Sequence, residues 1–208
     1  MRKQLILWIA AALIASFPVR AGVYDDILLA ANDGRTDEVV GLLRRGLDVN
    51  TTDRDGSTLM MIAARTGNPD LTEFLLNNRG SLERRNRFGD TALLLAVSQN
   101  HDVIVRRLVK AGAAINPEGW TPLHYAVHGN RIETARFLVA QGAKLDLRAP
   151  NGRTALMLAA QSGQLDTVRW LLGAGADSSL NDYEGKSALD IAREKGFNDI
   201  AEYLKTRK

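Results

Sequence analysis

The sequence predicts an all-α solenoid in which short helix pairs stack side by side, and three observations point to it. A glycine recurs two residues before a Thr or Ser, and the spacings between these glycines are 33, 30, 33 and 33 residues. Each Thr or Ser opens a short stretch rich in Leu and Ala, which predicts a helix with a buried face. A second apolar stretch follows after a Gly or Asn, so every unit holds two helices. The recurring glycines are Gly56, Gly89, Gly119, Gly152 and Gly185.

One copy of the repeated motif is complete, because residues 120–126 read W-T-P-L-H-Y-A. A period of 33 residues around a T-P-L-H-x-A core resembles the ankyrin-repeat family, over about residues 22–208. The resemblance implies stacked helix-turn-helix units with connecting β-hairpin loops. It implies that Thr121 and Pro122 begin a helix and that His124 forms hydrogen bonds within and between repeats. It also implies that the hairpins and the exposed inner-helix ends form a concave face that binds partners.

The repeated pattern divides the chain into six units, and the first and last look like caps. The first unit lacks the Thr motif, and Asp25 lies where later units carry the Thr that begins a helix. The last unit has polar residues, among them Arg193, Glu194 and Lys195, as a C-terminal cap requires for solubility. We expect a monomer. The units span approximately residues 22–52, 53–85, 86–115, 116–148, 149–181 and 182–208.

Some residues depart from the repeated pattern. Asn100 and Asn130 replace the glycine that ends an inner helix, and Asn is the next-best residue at positive φ. Arg79 replaces the glycine that ends an outer helix, so we expect a locally different loop there. The interval from Gly112 to Gly119 is three residues shorter than its counterparts, which predicts a shortened hairpin.

Residues 1–21 have the pattern of a cleavable secretory signal peptide. Arg2 and Lys3 precede an uncharged apolar run at residues 5–17, and compact residues lead to a cut after Ala21. The 13-residue run is shorter than the ~20 apolar residues that span a bilayer. A retained anchor or a disordered tail is the alternative. We therefore expect a bacterial periplasmic or secreted protein with no stable membrane anchor after signal removal.

Composition argues against a nucleic-acid partner. The chain carries 27 Lys and Arg residues against 24 Asp and Glu residues. Three of the cations, Arg2, Lys3 and Arg20, precede the predicted cut, which leaves 24 residues of each sign. A mature domain with no net charge lacks the basic surface that nucleic-acid binding requires. The chain has no cysteine, which suits an oxidising compartment where stray thiols would be a liability.

The sequence contains no convincing catalytic or metal-binding set. His124 and His128 lie four residues apart, as in half of a zinc site, but the aligned positions in the flanking units supply no strong further ligand. Residues 53–56 resemble the start of a calcium loop, but the later acidic ligands are missing, so a turn is the better interpretation. No nucleophile elbow, phosphate loop or Cys/His pair is present. We therefore expect no enzyme activity, no cofactor and no metal.

The aromatic residues fall into two groups. Phe74, Phe137, Trp170 and Tyr203 occupy the same slot of the outer helices, which predicts packing between repeats. Phe88, Trp120 and Tyr183 lie on the hairpins, where a large ring has little core to fill and where interface hot spots would favour it. A solvated edge with stray aromatic residues is the alternative. The predicted partner-binding residues are Arg54, Arg87, Phe88, Trp120, His128, Arg153, Gln161 and Tyr183.

These features predict a non-catalytic scaffold that binds another protein through its concave hairpin and inner-helix face. Three alternatives stay open: an inhibitor or immunity-type protein, an accessory factor for an exported enzyme, and a metal-dependent enzyme. The sequence does not name the partner, because a fold alone does not determine what it binds.

Overall fold

The computed structural model describes residues 21–206, in which twelve α-helices form six antiparallel pairs. No β-strand occurs within this range, and the hairpins contain only two isolated bridges, Thr52–Thr58 and Asn181–Ser187. The predicted all-α solenoid is confirmed. The helices are α1 (Ala21–Asn32), α2 (Thr36–Arg44), α3 (Leu59–Thr66), α4 (Pro69–Asn77), α5 (Ala92–Ser98), α6 (Asp102–Lys110), α7 (Pro122–His128), α8 (Ile132–Ala140), α9 (Ala155–Gln161), α10 (Leu165–Gly173), α11 (Ala188–Glu194) and α12 (Asn198–Lys205).

The odd-numbered helices form an inner row and the even-numbered helices an outer row. Each inner helix packs against its own outer helix and against the inner helices of the adjacent pairs. One apolar core therefore runs through the described chain, from Ile27 in α1 to Leu204 in α12. None of the helices within residues 21–206 has both the length and the apolar character needed to cross a bilayer.

The inner helices begin where the Thr motif predicts. Thr58, Thr91, Thr154 and Ser187 each accept a hydrogen bond from the backbone N–H three residues later, which satisfies a donor at the helix end. Thr121 does the same within a full capping box. Helix α1 is the exception, because it already begins at Ala21 and encloses residue 25.

The prediction that Asp25 caps α1 is therefore wrong. The other inner helices follow a hairpin whose glycine has a positive φ, and that turn ends any preceding helix. No Pro and no positive-φ glycine lies in residues 21–24, so the backbone continues as a helix through Asp25.

Left-handed residues end the helices as predicted, with one difference. Asn100 and Asn130 have φ of 62° and 52°, which confirms their role as glycine substitutes. Arg79 has φ of 62°, and Gly80 N–H donates to Leu75 O at 2.8 Å. Ala113 makes the equivalent bond after Gly112, so the loops share one geometry. The prediction of a different loop is wrong, because Arg79 itself adopts the left-handed conformation.

Four hairpin fingers project from the stack, at residues 53–57, 86–90, 149–153 and 182–186. Two main-chain hydrogen bonds close each finger. In the finger at residues 86–90, Asn86 N–H donates to Asp90 O at 3.1 Å and Gly89 N–H donates to Asn86 O at 2.9 Å. The connection at residues 116–120 has neither bond. The prediction of a shortened hairpin is confirmed.

Asn116 shows which part of the hairpin is missing. Its Oδ1 accepts Lys144 N–H at 2.9 Å, just as Asn50 Oδ1 accepts Ser81 N–H at 2.8 Å two repeats earlier. Asn116 thus corresponds to Asn50, which lies six residues before Gly56, whereas Asn116 lies three residues before Gly119. The chain lacks the first arm of this finger.

The C-terminal end of the stack has a polar surface. Ser178 stands where the preceding repeats place Leu82, Ile115 and Leu145 against the core. Arg193 is exposed on α11, whereas Ala160 at the same position of α9 is buried. These polar replacements support the prediction of a C-terminal cap.

Candidate partner-binding surface

Two aromatic rings stand at finger tips and are the most exposed large apolar side chains of the described chain. Phe88 is 65% exposed and Tyr183 is 72% exposed. Asn86 Oδ1 accepts the Phe88 N–H at 3.0 Å, and the Arg87 guanidinium lies 4.7 Å from the Phe88 ring centroid. Tyr183 packs so closely on Gly152 that a Cβ there would come within 2.6 Å of Tyr183 N. The fold therefore presents both rings on supported backbone.

The arginines of the first two fingers differ in their partners. Arg87 Nη1 lies 3.0 Å from Asp55 Oδ1, and Arg87 N–H donates to Asp55 O at 2.9 Å. These contacts join the finger at residues 53–57 to the next one. Arg54 is exposed and forms no hydrogen bond or ion pair within residues 21–206. Its guanidinium is available to a partner.

Trp120 is half-buried and packs against the core. Its ring makes edge contacts with His124 at 5.8 Å and with Tyr125 at 6.0 Å between centroids. The expectation that Trp120 has little core to fill is wrong, because the ring lies on two side chains of α7. The Tyr125 hydroxyl in turn donates to Asp90 Oδ1 at 3.1 Å. Burial is the main cause that raises the pKa of Tyr125 to about 12, and the Asp90 carboxylate adds to it.

His124 forms hydrogen bonds within its own unit, as the family resemblance implies in part. Its Nδ1 accepts Thr121 N–H at 3.1 Å, and its Nε2 lies 3.0 Å from Leu147 O, on the segment that leads to the next finger. Burial lowers the pKa of His124, and the bond to Leu147 O partly opposes this effect. Both ring nitrogens are engaged, whereas His128 is exposed and has no bonded partner within residues 21–206. No three His, Asp or Glu side chains in that range cluster closely enough to hold a metal ion.

Arg153 and Gln161 are engaged inside the chain. Arg153 donates from Nε to Asp182 Oδ2 at 3.2 Å and from Nη1 to Gln161 Oε1 at 2.7 Å. The ion pair is largely buried, with side-chain exposures of 18% for Arg153 and 1% for Asp182. Burial alone would raise the pKa of Asp182, but the backbone N–H of Lys186 and the Arg153 side chain outweigh it and lower that pKa. These residues join the last two repeats.

A series of arginine–aromatic contacts runs along the outer helices, and none of its residues is among the predicted partner-binding residues. Arg106 lies 4.4 Å from the Phe137 ring centroid, and Arg136 lies 5.2 Å from that of Trp170. Arg169 continues the series 5.4 Å from Tyr203. The predicted packing between repeats is confirmed for Phe137, Trp170 and Tyr203. The sequence held one signal for these contacts, because arginine recurs at the same position of three successive units, as Arg106, Arg136 and Arg169.

The surface thus belongs to a stack of helix pairs with hairpin fingers, which defines a repeat scaffold. A family model described as "Ankyrin repeats (3 copies)" matches three overlapping segments of the chain, residues 27–116, 78–149 and 142–208. The chain therefore belongs to the ankyrin-repeat family, as its motif indicates.

Solved structures resemble the whole described stack. A chain in the structure of the predatory endopeptidase Bd0816 from Bdellovibrio bacteriovorus in complex with immunity protein Bd3460 is 33% identical, with a TM-score of 0.80. The match covers 88% of this chain and 97% of that one. An ankyrin repeat domain from Acinetobacter baumannii AYE is 27% identical, with a TM-score of 0.78 and coverage of 88% and 97%.

Curated relatives match over shorter stretches. The ankyrin repeat protein FPV031 of Fowlpox virus (strain NVSL) is 36% identical over 129 residues, which are 59% of this chain and 38% of that protein. The glycerophosphocholine phosphodiesterase GDE1 of Candida albicans is 32% identical over 110 residues, which are 50% of this chain and 10% of that protein. The chain thus spans less than two fifths of these relatives.

Proposed function

We propose that this chain is a non-catalytic scaffold that binds another protein through its fingers and inner-helix ends. The exposed rings of Phe88 and Tyr183 on supported finger tips carry this proposal. Aromatic and Arg side chains dominate binding energy at protein interfaces, and Arg54 adds an unpaired guanidinium beside the Phe88 finger. A stacked scaffold also loses little conformational entropy when it binds.

Affinity capture with the tagged chain tests this function. We expect a protein from the periplasmic extract of the native cell to bind, and Phe88→Ala with Tyr183→Ala to weaken its capture about tenfold or more. Val103→Ala is the matched control, because Val103 is 58% exposed on the outer helix α6. Equal capture by the finger variant and by the control would show that the fingers are not the binding surface.

We further propose that the chain acts outside the cytoplasm, after removal of residues 1–21. Residues 1–20 lie outside the described residues, and the charged start, apolar run and compact end of the segment support the proposal. A fusion of residues 1–25 to a reporter that is active only outside the cytoplasm should be active. An inactive fusion would overturn the proposed location.

An inhibitor of an exported enzyme is the second candidate. The likeness to a chain from an endopeptidase–immunity protein complex favours it, because the match covers nearly all of that chain. An inhibitor forms a stoichiometric complex, and its deletion releases the activity of its target enzyme. An accessory factor gives the opposite result, since its deletion lowers that activity. Enzyme assays in a deletion strain therefore separate these two roles.

A further inference from the structure

Exposed guanidinium groups that the chain does not neutralise lie on the first finger and just before the second. Arg54 and Arg84 are exposed and form no ion pair within residues 21–206. Arg85 bonds only to carbonyl oxygens, with Nη1 at 2.7 Å from Gly89 O and Nη2 at 3.4 Å from Glu118 O. We define the finger patch as Arg54, Arg84, Arg85, Arg87 and Phe88.

The acids near the patch are mostly occupied by bonds inside the chain. Asp53 Oδ1 accepts the N–H groups of Asp55 and Ser57 at 2.9 and 2.8 Å. Glu83 Oε1 accepts Ala114 N–H at 2.9 Å. Asp55 pairs with Arg87, and Asp90 accepts the Tyr125 hydroxyl. These carboxylates are occupied within the chain, and the guanidinium groups of Arg54 and Arg84 remain for a partner.

The C-terminal fingers show the opposite arrangement. Arg153 pairs with the buried Asp182, and Lys186 Nζ lies 3.1 Å from Glu184 and 2.6 Å from Glu194. Carboxylates neutralise these two cations, whereas Arg148, just before the finger at residues 149–153, bonds only to carbonyl oxygens, as Arg85 does. Arg54 and Arg84, which form no ion pair within residues 21–206, thus lie at the N-terminal end of the finger row, which also carries the exposed Phe88 ring.

We infer that the finger patch recognises an acidic protein segment in which an apolar side chain lies next to Asp or Glu. This inference rests on the proposed function and specifies the chemistry of its partner. Carboxylates pair well with guanidinium groups, and the Phe88 ring offers an apolar contact between them. The exposed Glu83 and Glu118 beside the patch would repel a continuous phosphate backbone. A protein segment can place its few carboxylates selectively.

Selection from a phage-displayed library of random peptides on the purified chain tests this inference. We expect enriched peptides to carry Asp or Glu beside an aromatic or aliphatic residue. A synthetic peptide of the enriched sequence should bind about tenfold or more weakly to Phe88→Ala, and to the double variant Arg54→Glu and Arg84→Glu. Arg45→Glu is the matched control, because Arg45 is exposed at the end of the outer helix α2.

Salt gives a second readout, because exposed charge pairs are screened at high ionic strength. Peptide affinity should fall as salt is added, and the double variant should lose most of this dependence. The inference is overturned if no acidic sequence is enriched, or if the patch variants bind the peptide like Arg45→Glu. If the chain still captures a protein partner after the peptide test fails, the proposed function stands and the partner uses another part of the surface. If neither a peptide nor a protein partner binds, both the inference and the proposed function are overturned.

Discussion

Replacing Arg153 by Ala tests whether this predicted binding residue instead stabilises the stack. The change leaves Asp182 Oδ2 without its partner while the Asp182 side chain is only 1% exposed. An acceptor that is left buried and unpaired costs about 1–3 kcal/mol. Asp182 Oδ1 keeps its bonds to the N–H groups of Glu184 and Lys186, and Arg153 is partly exposed, so complete disruption is not expected. We predict a loss of about 2 kcal/mol in the free energy of unfolding.

Urea unfolding followed by circular dichroism measures this loss. Arg54→Ala is the matched control, because Arg54 is an exposed finger arginine without an ion pair, and it should change stability by less than about 0.5 kcal/mol. Adding Asp182→Asn to Arg153→Ala should recover about 1 kcal/mol, since an uncharged side chain tolerates the lost cation better. Asn86 already closes the equivalent turn with its own Oδ1. The reasoning is refuted if Arg153→Ala is as stable as Arg54→Ala.

Three further changes test other parts of the structure. Arg79→Gly should stabilise the chain by about 1 kcal/mol in urea unfolding, because φ is 62° there, while Arg79→Ala gives no gain. Burial lowers the pKa of His124, so the unfolded chain binds that proton more tightly and stability should fall as pH drops below about 6.5. His124→Leu should reduce this slope relative to the unmodified chain; an unchanged slope would contradict the assignment. Trp170→Leu should cost about 0.5–1 kcal/mol more in the unmodified chain than in a chain that already carries Arg136→Met, because the ring attracts that guanidinium.

The helix pairs could be predicted from the sequence because local rules specify them. The Thr residues cap the inner helices through bonds to their own backbone, and Asn100 and Asn130 end helices through their own dihedral angles. The start of α1 could not be predicted in this way, since Asp25 has the right chemistry but no preceding turn. The conformation of Arg79 likewise follows from the stacking of whole repeats, which overrides the preference of one residue.

The candidate surface was predictable in part, and distance along the chain explains the difference. Phe88 and Tyr183 stand at hairpin tips, so the repeat alone indicates their exposure. Arg153 was predicted as a binding residue, but its carboxylate partner Asp182 lies in the next repeat. Such contacts between repeats require the three-dimensional arrangement.

In-cell crosslinking from the finger tips tests the central claim most directly. A photoreactive phenylalanine analogue would replace Phe88 or Tyr183, the two most exposed apolar side chains of the described residues. The same analogue at Val103 on α6 is the control, because that site is also exposed but lies on an outer helix. We predict one discrete protein adduct from a finger site and none from the control. An adduct from position 103 alone, or none from either finger, would contradict partner binding through the fingers.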